Sequence, residues 1–464
     1  MGDVRDDLLK GLAWNTAAPS GVLLRLLSPQ VPSVWFWLCL RAGLPADVVD
    51  AIVTHPDSRV RGYFADSWNA DPADRARLAD DPERKVRIAL ANGPEPFRME
   101  VAPLPDAAYE RLLSDPDGEV RDWAVHSRSI PPRVLAGYAD HTDPAVRAAV
   151  CRVWDELAPA VRDALLADPD AEVRRAAAVS ACPDDAARTD ELLDTVERRR
   201  RDDVLREGRL GRATAERLAA SEDSGERHAV AVNPSLPPDL VARLATDPEH
   251  AVRLAISVRP ELTEQERAAI DYEMDPERRP GPVRWVWNLG DENDDHEALR
   301  RCATSAHVLL RRSAAANRHL PGDLVARLAR DEDYAVRLLT CEYQPSAPPD
   351  ALLRTVLEWD GYTRSILLDR PQFPRKGLAR YADDADPSVR VLALHDPDAS
   401  PELVERLSRD ESTRVRNAAA ADPRLAPARI EELLAEPATA QQAAGNPGLP
   451  VRAMHRLLDE LGLD

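Results

Sequence analysis

Residues 233–257 read NPSLPPDLVARLATDPEHAVRLAIS. Asp247 followed by Pro248 predicts a helix start, because an aspartate oxygen can accept from an orphan amide at the N-cap and a proline at the first helical position gives up no bond. A second start, Leu236-Pro237-Pro238-Asp239, opens a helix over residues 240–245. The stretch therefore predicts two short helices joined by proline-marked turns. The same grammar recurs at Asp81-Pro82, Asp115-Pro116 and Asp168-Pro169, and at Ile130-Pro131-Pro132 and Leu320-Pro321-Gly322.

Outward from that stretch, a Val-Arg pair or near equivalent places arginines at 61, 87, 121, 147, 174, 227, 253, 284, 311, 337, 364, 390 and 416, mostly 26 or 27 residues apart. The one gap of 53 is two periods and puts a degenerate copy near Arg201. Trp35 stands one period before Arg61, and Gln441 or Gln442 one period after Arg416. About sixteen copies fill the chain, and a fixed period of this size means stacked supersecondary units. The 40 prolines among 464 residues are phased with the repeat, so they punctuate it, and they exclude long-helix bundles.

This pattern resembles the leucine-rich repeat variant family, whose units read roughly DPxxxVRxAxAxNPxLPxxLLxxLA, and more distantly the HEAT-like repeats. The resemblance covers nearly the whole chain, with gaps around 93–105, 184–226 and 260–300. It implies a right-handed superhelix of alternating α and 3₁₀ or short α helices. The expected fold class is all-α: a right-handed α-solenoid superhelix of about sixteen 26-residue two-helix repeats. The expected organisation is one continuous solenoid over 1–464, with N-terminal repeats at 1–182, a degenerate repeat at 183–226, and C-terminal repeats at 227–464 carrying an irregular insertion at 260–300. One family member is associated with a cysteine-ligated iron–sulfur cluster. Here Cys39, Cys151, Cys182, Cys302 and Cys341 lie far apart without ligand spacing, so no cofactor and no metal are expected.

At about 100° per residue, the valine before each arginine and the residues two and three after it form the buried stripe. The fourth residue after the arginine is small, and Cys39, Cys151 and Cys341 occupy that phase as small core residues. The first and fifth residues after the arginine form the exposed side. They vary widely, and variation on a constant frame is how solenoids present a binding surface. A mixture of aromatic, basic and apolar side chains suits a protein or peptide partner. The candidate partner-binding residues are Arg175, His228, Trp285, Arg312 and Leu338, together with inserted loops near Pro94 and Trp285.

The repeated arginines admit two uses. A nucleic-acid-binding or repair-like protein would line them along a concave track for phosphates. The alternative is a structural ladder, because an aspartate stands six residues before the arginine in pairs such as Asp81/Arg87, Asp168/Arg174, Asp247/Arg253 and Asp410/Arg416, and a planar fork suits a neighbouring cap. The net charge of −20 also opposes backbone binding to a polyanion. Arg198 to Arg201 looks basic, but residues 190–209 hold seven acids against six arginines.

Catalytic motifs are absent. There is no Walker loop, GxSxG, dinucleotide fingerprint or HExxH, and Asp291, Asn293 and Asp295 start a calcium loop that His296 and Cys302 do not complete. No apolar run approaches the ~18 residues that span a bilayer, and the acidic first residues lack a signal core. The expectation is a noncatalytic, cytoplasmic protein of a high-GC bacterium that binds a protein or peptide, with neither nucleic acid nor membrane as partner.

Overall fold

The computed structural model describes residues 4–94, 101–127, 129–195, 198–259, 261–272 and 295–463, and no strand occurs among them. The chain is all-α, with about 61% of it in helices. Each repeat supplies one helix bearing the Val-Arg pair, such as Ser58–Ala65, Arg84–Asn92 or Gly118–His126. It also supplies one proline-led helix, such as Pro132–Ala136, Pro238–Leu244 or Gly322–Leu328. Val-Arg helices pack on the Val-Arg helices of neighbouring repeats. Proline-led helices form a second layer in the same way, as Ser20–Arg25 on Ala46–Val53 and Arg212–Ala219 on Pro238–Leu244 show.

The core follows the predicted phase at most positions. The valines before the arginines (Val60, Val86, Val120, Val146) are buried, as are the residues three after (Phe64, Leu90, Ala124, Val150). Small residues four after, including Ala65, Cys151, Ala231 and Cys341, let neighbouring helices approach. The second position after the arginine departs from expectation. Tyr63 and Trp123, read from sequence as core, are 37% and 42% exposed.

The Asp-Pro pairs also behave differently from their reading as helix starts. Asp247 accepts from the Glu249 amide at 2.9 Å, but the helix that follows is His250–Ser257, capped by Glu249. Asp115 likewise precedes Asp117, which is the true cap of Gly118–His126 and accepts from the Glu119 amide. These aspartates close an Asx turn just ahead of the helix. At Asp143-Pro144 and Asp386-Pro387 the aspartate is itself the cap, with proline at the first turn.

A polar ladder runs between repeats at the end of several Val-Arg helices. The Asn233 amide donates to the carbonyls of Leu205 and Gly208 at 2.6 and 2.8 Å, and Asn446 to those of Ala420 and Asp422 at 2.7 and 2.8 Å. Gln344 and Arg259 fill the same place, donating to Ala315 and Asn317, and to Ala231 and Asn233. Helix-end carbonyls that have no intrahelical partner are satisfied by the next repeat.

The chain divides into two compact units, one of Met1–Ala177 with Arg375–Asp464, the other of Ala178–Pro374. In the second, the degenerate repeat forms helices Ala186–Thr195, Arg198–Glu207 and Arg212–Ala219 over a core that includes Leu193, Val204, Leu218 and Val230. In the first, helix Val4–Trp14 packs on Ala440–Ala444, and Ser20–Arg25 on Val451–Glu460. The N-terminal repeat of the chain thus stacks on its C-terminal repeats.

Candidate functional site

Among the described residues the repeated arginines are occupied, and Arg284 lies outside them. Arg61 donates from Nε and Nη2 to the two Asp81 oxygens at 2.6 and 3.0 Å, and from Nη1 to the His55 carbonyl at 2.6 Å. Asp81 in turn accepts from the Glu83 amide. The same fork joins Arg87 to Asp115, Arg147 to Asp168, Arg227 to Asp247, Arg311 to Asp331 and Arg390 to Asp410. Each arginine therefore ties its own turn, six residues back, to the Asx turn of the following repeat. The degenerate copy keeps the bond with a different acid, Arg201 reaching Glu226 at 3.0 Å. Other copies depart from the pattern: Arg253 bonds the carbonyls of Asp271, Asp247 and Pro248 and the ring of His250, Arg337 reaches Glu358, Arg364 pairs with Asp360 just ahead of its own helix, and Arg416 bonds the carbonyls of its own turn and Thr413.

With those arginines committed to aspartates, the outward face of the Val-Arg helices is what varies. In the first unit it carries a row of rings. Trp14 meets Trp37 edge-on at 6.4 Å, Trp37 meets Phe36 at 5.5 Å, and Phe36 meets Tyr63 at 5.7 Å. Trp14, Phe36 and Tyr63 are 44%, 37% and 37% exposed, although each is an aromatic whose burial would be favourable. Trp123 is also exposed on a Val-Arg helix of this unit. Trp37, Tyr63 and Trp123 all stand at the second position after the arginine phase, which the helical period places in the core.

The residues singled out from sequence are not brought together as one site. Arg175 lies in the first unit, half-buried and paired with Glu172 of its own helix. His228 is half-buried in the second unit, and burial, with Arg206 nearby, holds its ring below the ordinary histidine value. Arg312 places its fork on Asp333 at 3.0 and 2.9 Å. Leu338, expected on the exposed side, is only 3% exposed. Its helix, Tyr334–Tyr343, packs against Val308–Ala316, Pro349–Glu358 and Arg364–Asp369, which leaves that phase no open side. Trp285 lies outside the described residues, as does most of the insertion it belongs to.

Three arrangements that suggest chemistry are explained by structure. Ser257 Oγ and His307 Nε2 are 3.0 Å apart, as in a nucleophile and base. However, His307 Nδ1 accepts from the Leu309 amide, so Nε2 carries the proton and donates to the serine, which donates to the Leu254 carbonyl. That tautomer cannot take the serine's proton. An open cavity of about 500 Å³ lined by Tyr272, Ala306, Val308, Arg311, Glu332 and Asp333 offers as its main polar groups the ladder arginine and the acid already held by Arg312. All five cysteines are buried and unbridged, and burial pushes the Cys151 thiol up to about 11 and Cys302 up to about 12. Such thiols are inert core residues. No group of three or more metal-ligating side chains occurs among the described residues.

Fold and face together define an all-α protein of stacked two-helix repeats. Residues 225–249 match the leucine rich repeat variant family model, so the resemblance read from the repeat holds there. No curated protein matches the chain. Among solved structures, Kap121p bound to Pho4p is similar at 12% identity and a TM-score of 0.21 over 95% of this chain and 54% of that one. Kap121p bound to Nup53p is similar at 13% and 0.23 over 95% and 54%. A microtubule polymerase with an array of tumor overexpressed gene domains, in a structure on tubulin recruitment, is similar at 10% and 0.21 over 97% and 96%. The chain spans about half the length of the Kap121p chains it matches. Among the described residues no helix is long and apolar enough to cross a membrane.

Proposed function

We propose that this chain is a noncatalytic scaffold that binds a protein or peptide through the outward face of its Val-Arg helices, with the row Trp14, Trp37, Phe36 and Tyr63 as the anchor. The observation that carries this reading is the row itself: rings in edge-to-face contact, three of which, Trp14, Phe36 and Tyr63, remain exposed while Trp37 is half-buried between them. Aromatic anchors of this kind concentrate binding energy at protein interfaces and cost little side-chain entropy on binding. A phosphate track is disfavoured by the ladder, whose forks already rest on aspartates, and by a net charge of −20.

The test is the double variant Phe36→Ala, Tyr63→Ala, compared with wild type by quantitative mass spectrometry of proteins captured from the native host. Both side chains are partly exposed, so helical content and the melting curve should be retained. Capture of at least one protein should fall about tenfold or more. An identical captured set from both forms would refute the assignment of the row.

A further inference from the structure

The contact between the N-terminal and C-terminal repeats repeats the geometry used at several junctions between consecutive repeats. The Asn15 amide, fully buried, donates to the carbonyls of Ala444 and Asn446 at 2.9 and 2.7 Å. Asn233 and Gln344 make the corresponding pair of bonds to repeats that precede them along the chain. Asn446 then makes the same pair to Ala420 and Asp422, so the ladder passes through this seam in register. Arg5 and Arg25 add bonds to the carbonyls of Leu461 and Leu463.

Close packing is built for the same contact. A Cβ added at Gly11, in the middle of Val4–Trp14, would meet the Gln441 carbonyl at 2.2 Å and Ala444 Cβ at 2.6 Å. Glycine inside a helix costs roughly 0.5 to 1 kcal/mol against alanine, and here the approach of the 440–444 helix is what requires it. Leu9, Leu12 and Ala13 on one side, and Ala440, Ala443 and Ala444 on the other, have no exposure.

The partners in this seam are separated by more than 400 residues of chain, as in the 429 residues between Asn15 and Ala444, so no short link dictates which molecule supplies each half. We infer that the faces of helices Val4–Trp14 and Ala440–Ala444 are a head-to-tail docking pair, and that a second copy of this chain can take the place the chain's own N-terminal repeat occupies. The pairing is heterologous, one face differing from the other, and exchange of an identical element between copies is a low-cost route to association. Within one molecule the high effective concentration of the two halves favours closure. Association between copies is therefore favoured when self-closure is blocked on one half only, or when chains fold together at high concentration. This goes beyond the partner-binding reading above and does not depend on it.

Two full-length variants make that condition. Gly11→Val spoils the first face and leaves the second intact, while Ala444→Leu spoils the second and leaves the first. Each alone should sediment as a monomer with wild-type helical content. Mixed in equal amounts they should form a one-to-one complex of doubled mass, because one good pair of faces is restored between them. Two folded variants that stay monomeric on mixing overturn the inference. Should either variant lose helical content, wild-type chain refolded from urea over a range of concentrations decides instead. A dimer whose share rises with concentration is expected, and monomer throughout overturns it.

Discussion

Arg61 shows what the repeat asks of one residue. Its guanidinium must reach a carbonyl of its own turn and both oxygens of Asp81 in the following repeat, a geometry that a planar fork meets and an ammonium does not. Arg61→Ala leaves the buried Asp81 carboxylate without its cation, and the expected loss of stability is about 2 to 3 kcal/mol by chemical denaturation. An unchanged midpoint would count against the ladder. The aspartates also set the acid limb of stability. The Arg147 fork and the Asp170 amide hold Asp168 below the usual carboxylate value, and Asp247 and Asp410 end below it too, although burial alone would raise them. The folded chain then binds fewer protons than the unfolded one, so this stabilisation is complete above about pH 4 and is lost as pH falls through the depressed values. The pairing of arginine with aspartate that recurs along the chain is legible in the spacing. That the fork bonds the aspartate of the next repeat, and only a carbonyl of its own, is not, because a distance of six residues records chain separation and says nothing of which neighbour lies across the stack.

Helix Val308–Ala316 begins on His307, whose Nδ1 accepts from the Leu309 amide while the ring stacks on Tyr272 at 4.6 Å. Burial, reinforced by Arg267 and Arg311 and opposed by Glu264, pushes this histidine down to about 4. The unfolded chain takes up the proton near 6.5, so the stability this neutral ring supplies is intact above that pH and drains away between 6.5 and about 4. His307→Asn can still cap but cannot titrate. Its stability should therefore decline less steeply than that of wild type over that window, measured by urea midpoint against pH, with His228 supplying part of the remaining slope; an equal decline in both would show that His307 is not responsible. The exposed aromatics are also decided at the scale of the helix. The second position after the arginine sits at the edge of the buried stripe, roughly 110 to 120° from its centre at about 100° per residue. Ala255, Leu339 and Leu392 are buried at this position, whereas Tyr63 and Trp123 emerge. Hydrophobic character places all of them in the core alike, and what separates them is the cover that the neighbouring helices provide at each copy.

At the scale of the whole molecule, the contact between the N-terminal and C-terminal repeats changes what an end helix is. In an open stack, Val4–Trp14 would have a neighbour on one side only and would fray first. Held between Trp35–Cys39 and Ala440–Ala444, it should show amide exchange as slow as that of Ser58–Ala65 in the interior of the same unit. Fast exchange confined to residues 4–14 would mean the seam is open in solution. The 26-residue period, the proline-led helix starts and the valine stripe were all present in the sequence, because each follows from local backbone preference and from periodicity, which the chain carries in one dimension. The destination of each arginine fork, the burial of Leu338, the emergence of the aromatic row and the stacking of Asn15 on Ala444 depended on the tertiary structure alone. Those features are set by which surfaces meet after folding, and residues more than 400 positions apart leave no periodic trace of meeting.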